Sequence, residues 1–350
     1  MENKNFSVLP YFGEYLKNLK NNNYSKETVQ NYERDLLIFA SFLYYIDLPF
    51  DKVNKLIIGE YKGFLRYQNY IPILHKFLEN KVLTELDIEK SFDIVSDIKK
   101  SMYSGRLSDA SINRMLSALR SYLTFLVDID YPVPIPPTAV KMIKALKKEK
   151  QVAELEELVS LIESPFKFES NPIVRLRNRA ILELIFATGM RISEVVSLNK
   201  DHLKIIDGKI QDDKIFVTGK GKKQRFVYLT PRSIDFLNQY LETRNDNFPA
   251  LFIPTKGTRK ATNNPYIVRI SQNYIQMKIA EYRRRLGIIV PTSAHSLRHG
   301  FATYIAEEGA SPVAIQRLLG HASLHTTSKY VHASDKFAEK AHKEFHPLKE

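Results

Sequence analysis

The chain has 350 residues, long enough for two hydrophobic cores rather than one. Its 44% hydrophobic and 26% charged content is that of an ordinary globular protein, and the absence of cysteine excludes disulfides, thiolate catalysis and cysteine-ligated zinc. The net charge of +13 is spread over both halves, 22 Lys and Arg against 18 Asp and Glu in residues 1–150 and 30 against 21 in residues 151–350, which suits a polyanionic partner such as nucleic acid.

The opening "MENKNFSVLPYFGEYL" has no apolar run behind basic residues, so no signal peptide is expected and a cytoplasmic address follows. The first 130 residues read as helices. In "YSKETVQNYERDLLIFASFL", Ser25 is placed to cap a helix whose Val29, Tyr32, Leu36, Phe39 and Phe42 recur at helical spacing. "SDASINRMLSALRSYLTFLV" repeats the pattern with Ser108 as cap and Ile112, Met115, Leu116, Leu119 and Leu123 apolar. The Asn, Arg, Gln and Ser residues opposite both stripes read as a solvated face that also suits groove and phosphate contacts. "YPVPIPP", residues 131–137, cannot continue a helix, and the charged "KKEKQ" at 147–151 is the candidate linker. The expected division is therefore 1–146, a linker at 147–151, and a second domain from 152 to 335.

The second domain opens with helices. "AILELIFATGM" is apolar but short and interrupted by Glu183, so it does not span a membrane. "FATGMRISEVV" stops a helix at Gly189 and presents Arg191 just beyond, with Ser193 expected to cap the next helix. "KIFVTGKGKKQRFVYLT" alternates on both sides of a glycine-rich turn, the pattern of a β-hairpin that thrusts Lys220, Lys222 and Lys223 outward. A phosphate-binding P-loop is excluded, since the required glycine-to-lysine spacing is missing and a strand follows where a helix should start.

In "PTSAHSLRHGFATYIAEEG", Leu297, Phe301, Tyr304 and Ile305 form one helical stripe, with His295, Arg298 and His299 expected on roughly the opposite side. "SPVAIQRLLG" has Ser311 as cap, Pro312 at the first helical position and Gly320 as stop. "LLGHASLHTTSKYVHAS" then places His321 at that stop and Tyr330 nine positions on. Pairs of histidines four apart, 295 with 299 and 321 with 325, make a metallohydrolase a rival. No carboxylate intervenes as in His-Glu-x-x-His, however, and Arg298 would repel a dication.

Taken together, two arginines, a lysine, two histidines and a tyrosine form a set for phosphoryl transfer without metal or ATP. Arg191 and Arg298 can fork onto nonbridging phosphate oxygens. A phenol with pKa about 10 is only about 0.1% ionised near neutral pH, so Tyr330 needs a proton acceptor or cationic surroundings to attack. His295 and His321 can move protons, and Lys220 can protonate the leaving sugar oxygen. No metal and no cofactor are expected.

These residues resemble the tyrosine recombinase (integrase) family. "ATGMRISEV" is similar to its first arginine box, "GKGKKQRFVYL" to its lysine hairpin, "HSLRHGFAT" to its His-x-x-Arg box and "LLGHASLHTTSKYVH" to its His-then-Tyr box. "YSKETVQNYERDL" and "LSALRSYLTFL" resemble the N-terminal core-binding domain of Xer-type members. The resemblance implies a mainly α fold with a small antiparallel sheet, a helical SAM-like core-binding domain joined to an α+β catalytic domain as a C-shaped clamp on duplex DNA. It makes Tyr330 the nucleophile, with Arg191, Lys220, His295, Arg298 and His321 completing the site and Glu194 and His299 orienting them. It further implies a dimer on each site, a homotetramer on two sites, strand exchange through a Holliday junction, nucleoid association, and a tail at 336–350 docking a neighbouring protomer.

Arg191 and Lys220 stand 29 residues apart, longer than in compact Xer enzymes, with "IIDGKIQDDK" as the extra length; Lys222 or Lys223 could take the lysine's place. Tyr228 stands where a proline is frequent, and residues 55–105 enlarge the first domain as in the single-recombinase XerH type. The leading expectation is chromosome-dimer resolution at a dif-like site under control of the FtsK DNA translocase. A mobile-element integrase, a type IB topoisomerase and a DNA-binding protein without catalysis are the alternatives.

Overall fold

The computed structural model describes residues 9–79, 107–144, 153–219, 224–256 and 264–320. The candidate linker, Lys220 with Lys222 and Lys223, His321, Tyr330 and the 336–350 tail lie outside the described residues. The chain divides into two compact units, Met1–Lys148 and Glu149–Glu350.

The first unit contains α1 (Phe12–Asn21), α2 (Lys26–Tyr45), α3 (Lys55–Tyr67), α4 (Tyr70–Glu79) and α5 (Asp109–Asp128). Ser25 caps α2 by accepting the Thr28 N–H at 3.1 Å, and Ser108 caps α5 by accepting the Ser111 N–H at 3.1 Å. The apolar stripes of α2 and α5 meet Tyr61 and Phe64 of α3 and Phe77 of α4 in one core, where the Phe39 and Tyr61 rings pack edge to face at 4.9 Å.

The polar faces of α2 and α5 are only partly open to solvent. Asp35 is buried and paired with Arg114 across the two helices. Asn113 exchanges two hydrogen bonds with the backbone of Ile143, at 2.7 and 3.0 Å, and Arg120 donates to the Val140 carbonyl. The reason lies in residues 131–137: their prolines supply no N–H, so the segment neither prolongs α5 nor pairs as a strand before a single 3₁₀ turn at Pro137–Ala139, and side chains of α5 hold the backbone that follows it.

The second unit contains α6 (Leu155–Phe168), α7 (Pro172–Thr188), α8 (Ile192–Ser197), β1 (Ile205–Ile206), β2 (Lys209–Ile210), β3 (Lys214–Thr218), β4 (Gln224–Tyr228), α9 (Pro231–Glu242), α10 (Gln272–Leu286), α11 (Ala294–Glu307) and α12 (Pro312–Leu319). Helix α7 is central, packed by α6, α9 and α11. Residues 180–185 are therefore buried all round, which explains their near-continuous apolar character. Glu183 interrupts that run because it is an ion-pair partner, accepting from Arg179 Nε at 2.9 Å and Arg232 Nε at 2.7 Å.

The "IIDGKIQDDK" segment folds as an antiparallel ribbon, β1 with β2, turning at Asp207 and Gly208, both with positive φ. Strands β3 and β4 form a separate antiparallel hairpin in which Ile215 faces Val227 and Val217 faces Arg225. Ile215, Val217 and Val227 point inward, while Phe216 and Phe226 lie outward with ring centroids 5.1 Å apart, beside the exposed Tyr228. No helix among the described residues is long and apolar enough to cross a membrane.

Candidate active site

Helix α7 ends at Gly189, which adopts φ +60°. A side chain there would be strained, and a Cβ would come within 2.4 Å of the Phe301 ring on α11. The turn carries the chain straight into α8, whose cap position is Arg191. The cap differs from the Ser193 expected: Ser193 is already inside the helix and exposed, and the Glu194 carboxylate accepts the Arg191 backbone N–H at 2.8 Å. The same carboxylate accepts from Arg191 Nη1 at 2.9 Å, so Glu194 fixes both ends of the arginine. At the far end of α8, Arg269 donates to the Val196 carbonyl at 2.8 Å and to Asn199 Oδ1 at 3.0 Å, so the helix is held at both termini.

Arg298 departs further from expectation. On α11 it does not lie opposite Leu297 and Phe301 but is buried beside them, only 3% exposed. Two backbone carbonyls explain its position: Nη1 donates to Gly189 at 2.7 Å and Nη2 to Leu319 at 2.7 Å. Both are helix-terminal carbonyls lacking a partner within their own helix, and a guanidinium fork satisfies them. Helical periodicity treats every arginine as solvent-seeking, which is why the placement could not be read from the stripe. His295 is exposed on the first turn of α11, and His299 is half-buried with Nδ1 3.3 Å from Thr303 Oγ1.

The three final carbonyls before His321 each receive an arginine. Leu318 accepts from Arg225 Nε at 2.9 Å, Leu319 from Arg298 Nη2 and Gly320 from Arg191 Nη2 at 3.4 Å. Arg225 also forks onto Glu194, with Nη1 to Oε1 at 2.9 Å and Nη2 to Oε2 at 2.8 Å. Among the described residues, Arg191, Glu194, Arg225 and Arg298 therefore gather around the carbonyl end of α12, whose partial negative charge favours cations. Burial pushes the Glu194 carboxyl up, but hydrogen bonds from Arg225 and the Arg191 N–H, with the charges of both arginines, hold it below its ordinary value.

Arg225 is the residue that sequence reading missed. The alternation in "QRFVYL" did carry a signal, because Arg225 falls in the inward register with Val227 and Leu229. Among the described residues no three His, Asp or Glu side chains cluster as a metal site would need; His321 and His325 lie outside them.

The family model for the phage integrase family matches residues 151–336. The chain belongs to that family. Its enzymes are tyrosine recombinases, which cleave and rejoin DNA through a tyrosine intermediate. The tyrosine recombinase XerD of Staphylococcus haemolyticus is 32% identical over 311 residues, covering 89% of this chain and 98% of that one. The XerD of Staphylococcus epidermidis is 30% identical over the same shares. The crystal structure of XerH bound to palindromic difH substrate superposes with a TM-score of 0.59 at 21% identity, covering 97% of this chain and 96% of XerH. A lambda integrase dimer bound to a COC' core site gives 0.59 at 16% identity, over 90% and 95%. The recombinase fold, mostly helical with small antiparallel sheets, is thus the one this chain adopts.

Proposed function

We propose that the chain is a site-specific recombinase that resolves chromosome dimers at a dif-like site. The observation that carries this reading is the convergence of Arg191 and Arg298 on adjacent carbonyls, Gly320 and Leu319, at the segment leading into His321 and Tyr330. Two guanidinium groups held side by side can take the nonbridging oxygens of one phosphodiester and offset the charge that grows in its transition state.

In this reaction the Tyr330 oxygen attacks phosphorus, its proton passing to a neighbouring acceptor for which His295 and His321 are the candidates. The bond to the 5′ oxygen breaks as Lys220 supplies that oxygen with a proton. A 3′-phosphotyrosine ester keeps the bond energy, so the reverse attack by a 5′ hydroxyl reseals the strand without a nucleotide cofactor. Glu194 orients Arg191, and His299 supports its neighbours on α11. Residues 1–146 serve as the core-binding domain and 152–335 as the catalytic domain. Four protomers on two sites exchange strands through a Holliday junction, the 336–350 tail docks a neighbour, and FtsK supplies control. The shared fold with XerH, whose solved complex holds difH substrate, supports the dif-like site.

A suicide duplex that traps the cleaved strand tests the chemistry. The native chain is expected to form a covalent adduct; Tyr330→Phe should form none while binding DNA within about twofold of native, and an adduct in that variant reassigns the nucleophile. Sequencing chromosomal DNA trapped by the native chain tests the biology. A single site near the replication terminus is expected, whereas trapping at the ends of a mobile element would establish the integrase alternative instead.

A further inference from the structure

Arg225 sits on β4 in the inward register, opposite Val217, and its side chain is about one-tenth exposed. Taking a guanidinium out of water is costly unless its donors are matched, and here they are. Two go to the two oxygens of Glu194 and Nε to the Leu318 carbonyl. Glu194 is shared: it also accepts the Arg191 backbone N–H and Arg191 Nη1. Space has been left for the contact, since a Cβ on Gly320 would meet the Arg225 Cδ at 2.9 Å.

The charge count decides what this sharing does. A carboxylate facing Arg191 alone would form a neutral pair, cancelling most of the attraction Arg191 could exert on a phosphate. With Arg225 forked onto the same carboxylate, the trio keeps one net positive charge, and Glu194 still orients Arg191 through both hydrogen bonds. Arg225 would have no such effect from a more distant position, because Coulomb attraction falls with separation and is screened where water enters.

We infer that Arg225 is a positioning residue for strand cleavage: it neutralises and orients Glu194 so that Arg191 meets the scissile phosphate with its charge intact, and it ties β4 to the end of α12. The inference rests on the reading of Arg191 as a phosphate-binding group. Among the influences that lower the Glu194 carboxyl, the Arg225 hydrogen bond is the largest, in keeping with this role.

The test uses the full chain on the suicide duplex, reading single-turnover cleavage rate, DNA affinity and melting temperature. Arg225→Gln is expected to slow cleavage about 100-fold, as loss of a group supporting transition-state charge does, with affinity within about threefold. Adding Glu194→Gln to Arg225→Gln removes the uncompensated carboxylate and should recover about tenfold. A merely structural arginine would give a double variant as slow as Arg225→Gln or slower, and that result overturns the inference, as does native cleavage by Arg225→Gln. Should Arg225→Gln fail to fold, Arg225→Lys carries the test. It keeps a cation beside Glu194 and is expected to cleave within about tenfold of native; a loss of about 100-fold or more counts against the role. Absence of any adduct from the native chain would instead overturn the recombinase reading of the site.

Discussion

Arg298 combines two demands that usually separate. It is 3% exposed and charged, and its two terminal nitrogens hold carbonyls at the ends of different helices. Lysine carries the same charge but presents a single nitrogen, which cannot span Gly189 and Leu319 as a planar fork does. Arg298→Lys is therefore expected to lose cleavage about as fully as Arg298→Ala. It should also lower unfolding free energy by about 1–3 kcal/mol through a carbonyl left without a donor. Urea unfolding monitored by circular dichroism, beside the adduct assay, checks both; a lysine variant of native stability would show that one carbonyl is satisfied some other way.

At the scale of elements, what was legible in the sequence followed from local chemistry. Ser25, Ser108 and Ser311 cap the helices they precede, and Gly189 and Gly320 stop theirs in the left-handed conformation. Each signal is written within four residues of where it acts. The hairpin was legible for the same reason, since a period of two is visible over five residues. What stayed hidden depended on residues far apart: Arg225 reaching Glu194, Arg298 reaching Gly189, and Arg120 holding the backbone after the proline segment. Such contacts leave only an arginine in an inward register as their trace.

Helix α8 with its carboxylate gives a pH prediction. Glu194 is held below its ordinary value in the folded chain, so its contribution to stability is fully present above the unfolded value of about 4.3. It is lost as pH falls through the lower folded value. Glu194→Gln is therefore expected to be less stable than native near neutrality and to close that gap as acid is added. Unfolding free energies measured from pH 7 downward check the sign; a gap that widens on acidification would contradict it.

At the scale of the molecule, the buried side chains among the described residues fall into separate clusters. One is built entirely from residues 12–140, the others from residues 153–319. A cavity in one cluster is expected to weaken first the unit that contains it. Leu116→Ala and Leu297→Ala, both at fully buried positions, should each cost about 2–5 kcal/mol. Calorimetry is expected to show each variant lowering a different transition; a single transition shifted by both would mean that the units unfold as one.

The meeting of three guanidinium groups on Leu318, Leu319 and Gly320 also constrains how this enzyme can be re-engineered. Grafting the closing segment of another recombinase onto this scaffold transplants three acceptor oxygens whose donors sit at 191, 225 and 298. A chimera joined between Arg298 and Leu318 keeps the donors from one parent and the acceptors from the other. Functional grafts will be those that carry the α7–α8 turn, β4 and α11 together with the new terminus.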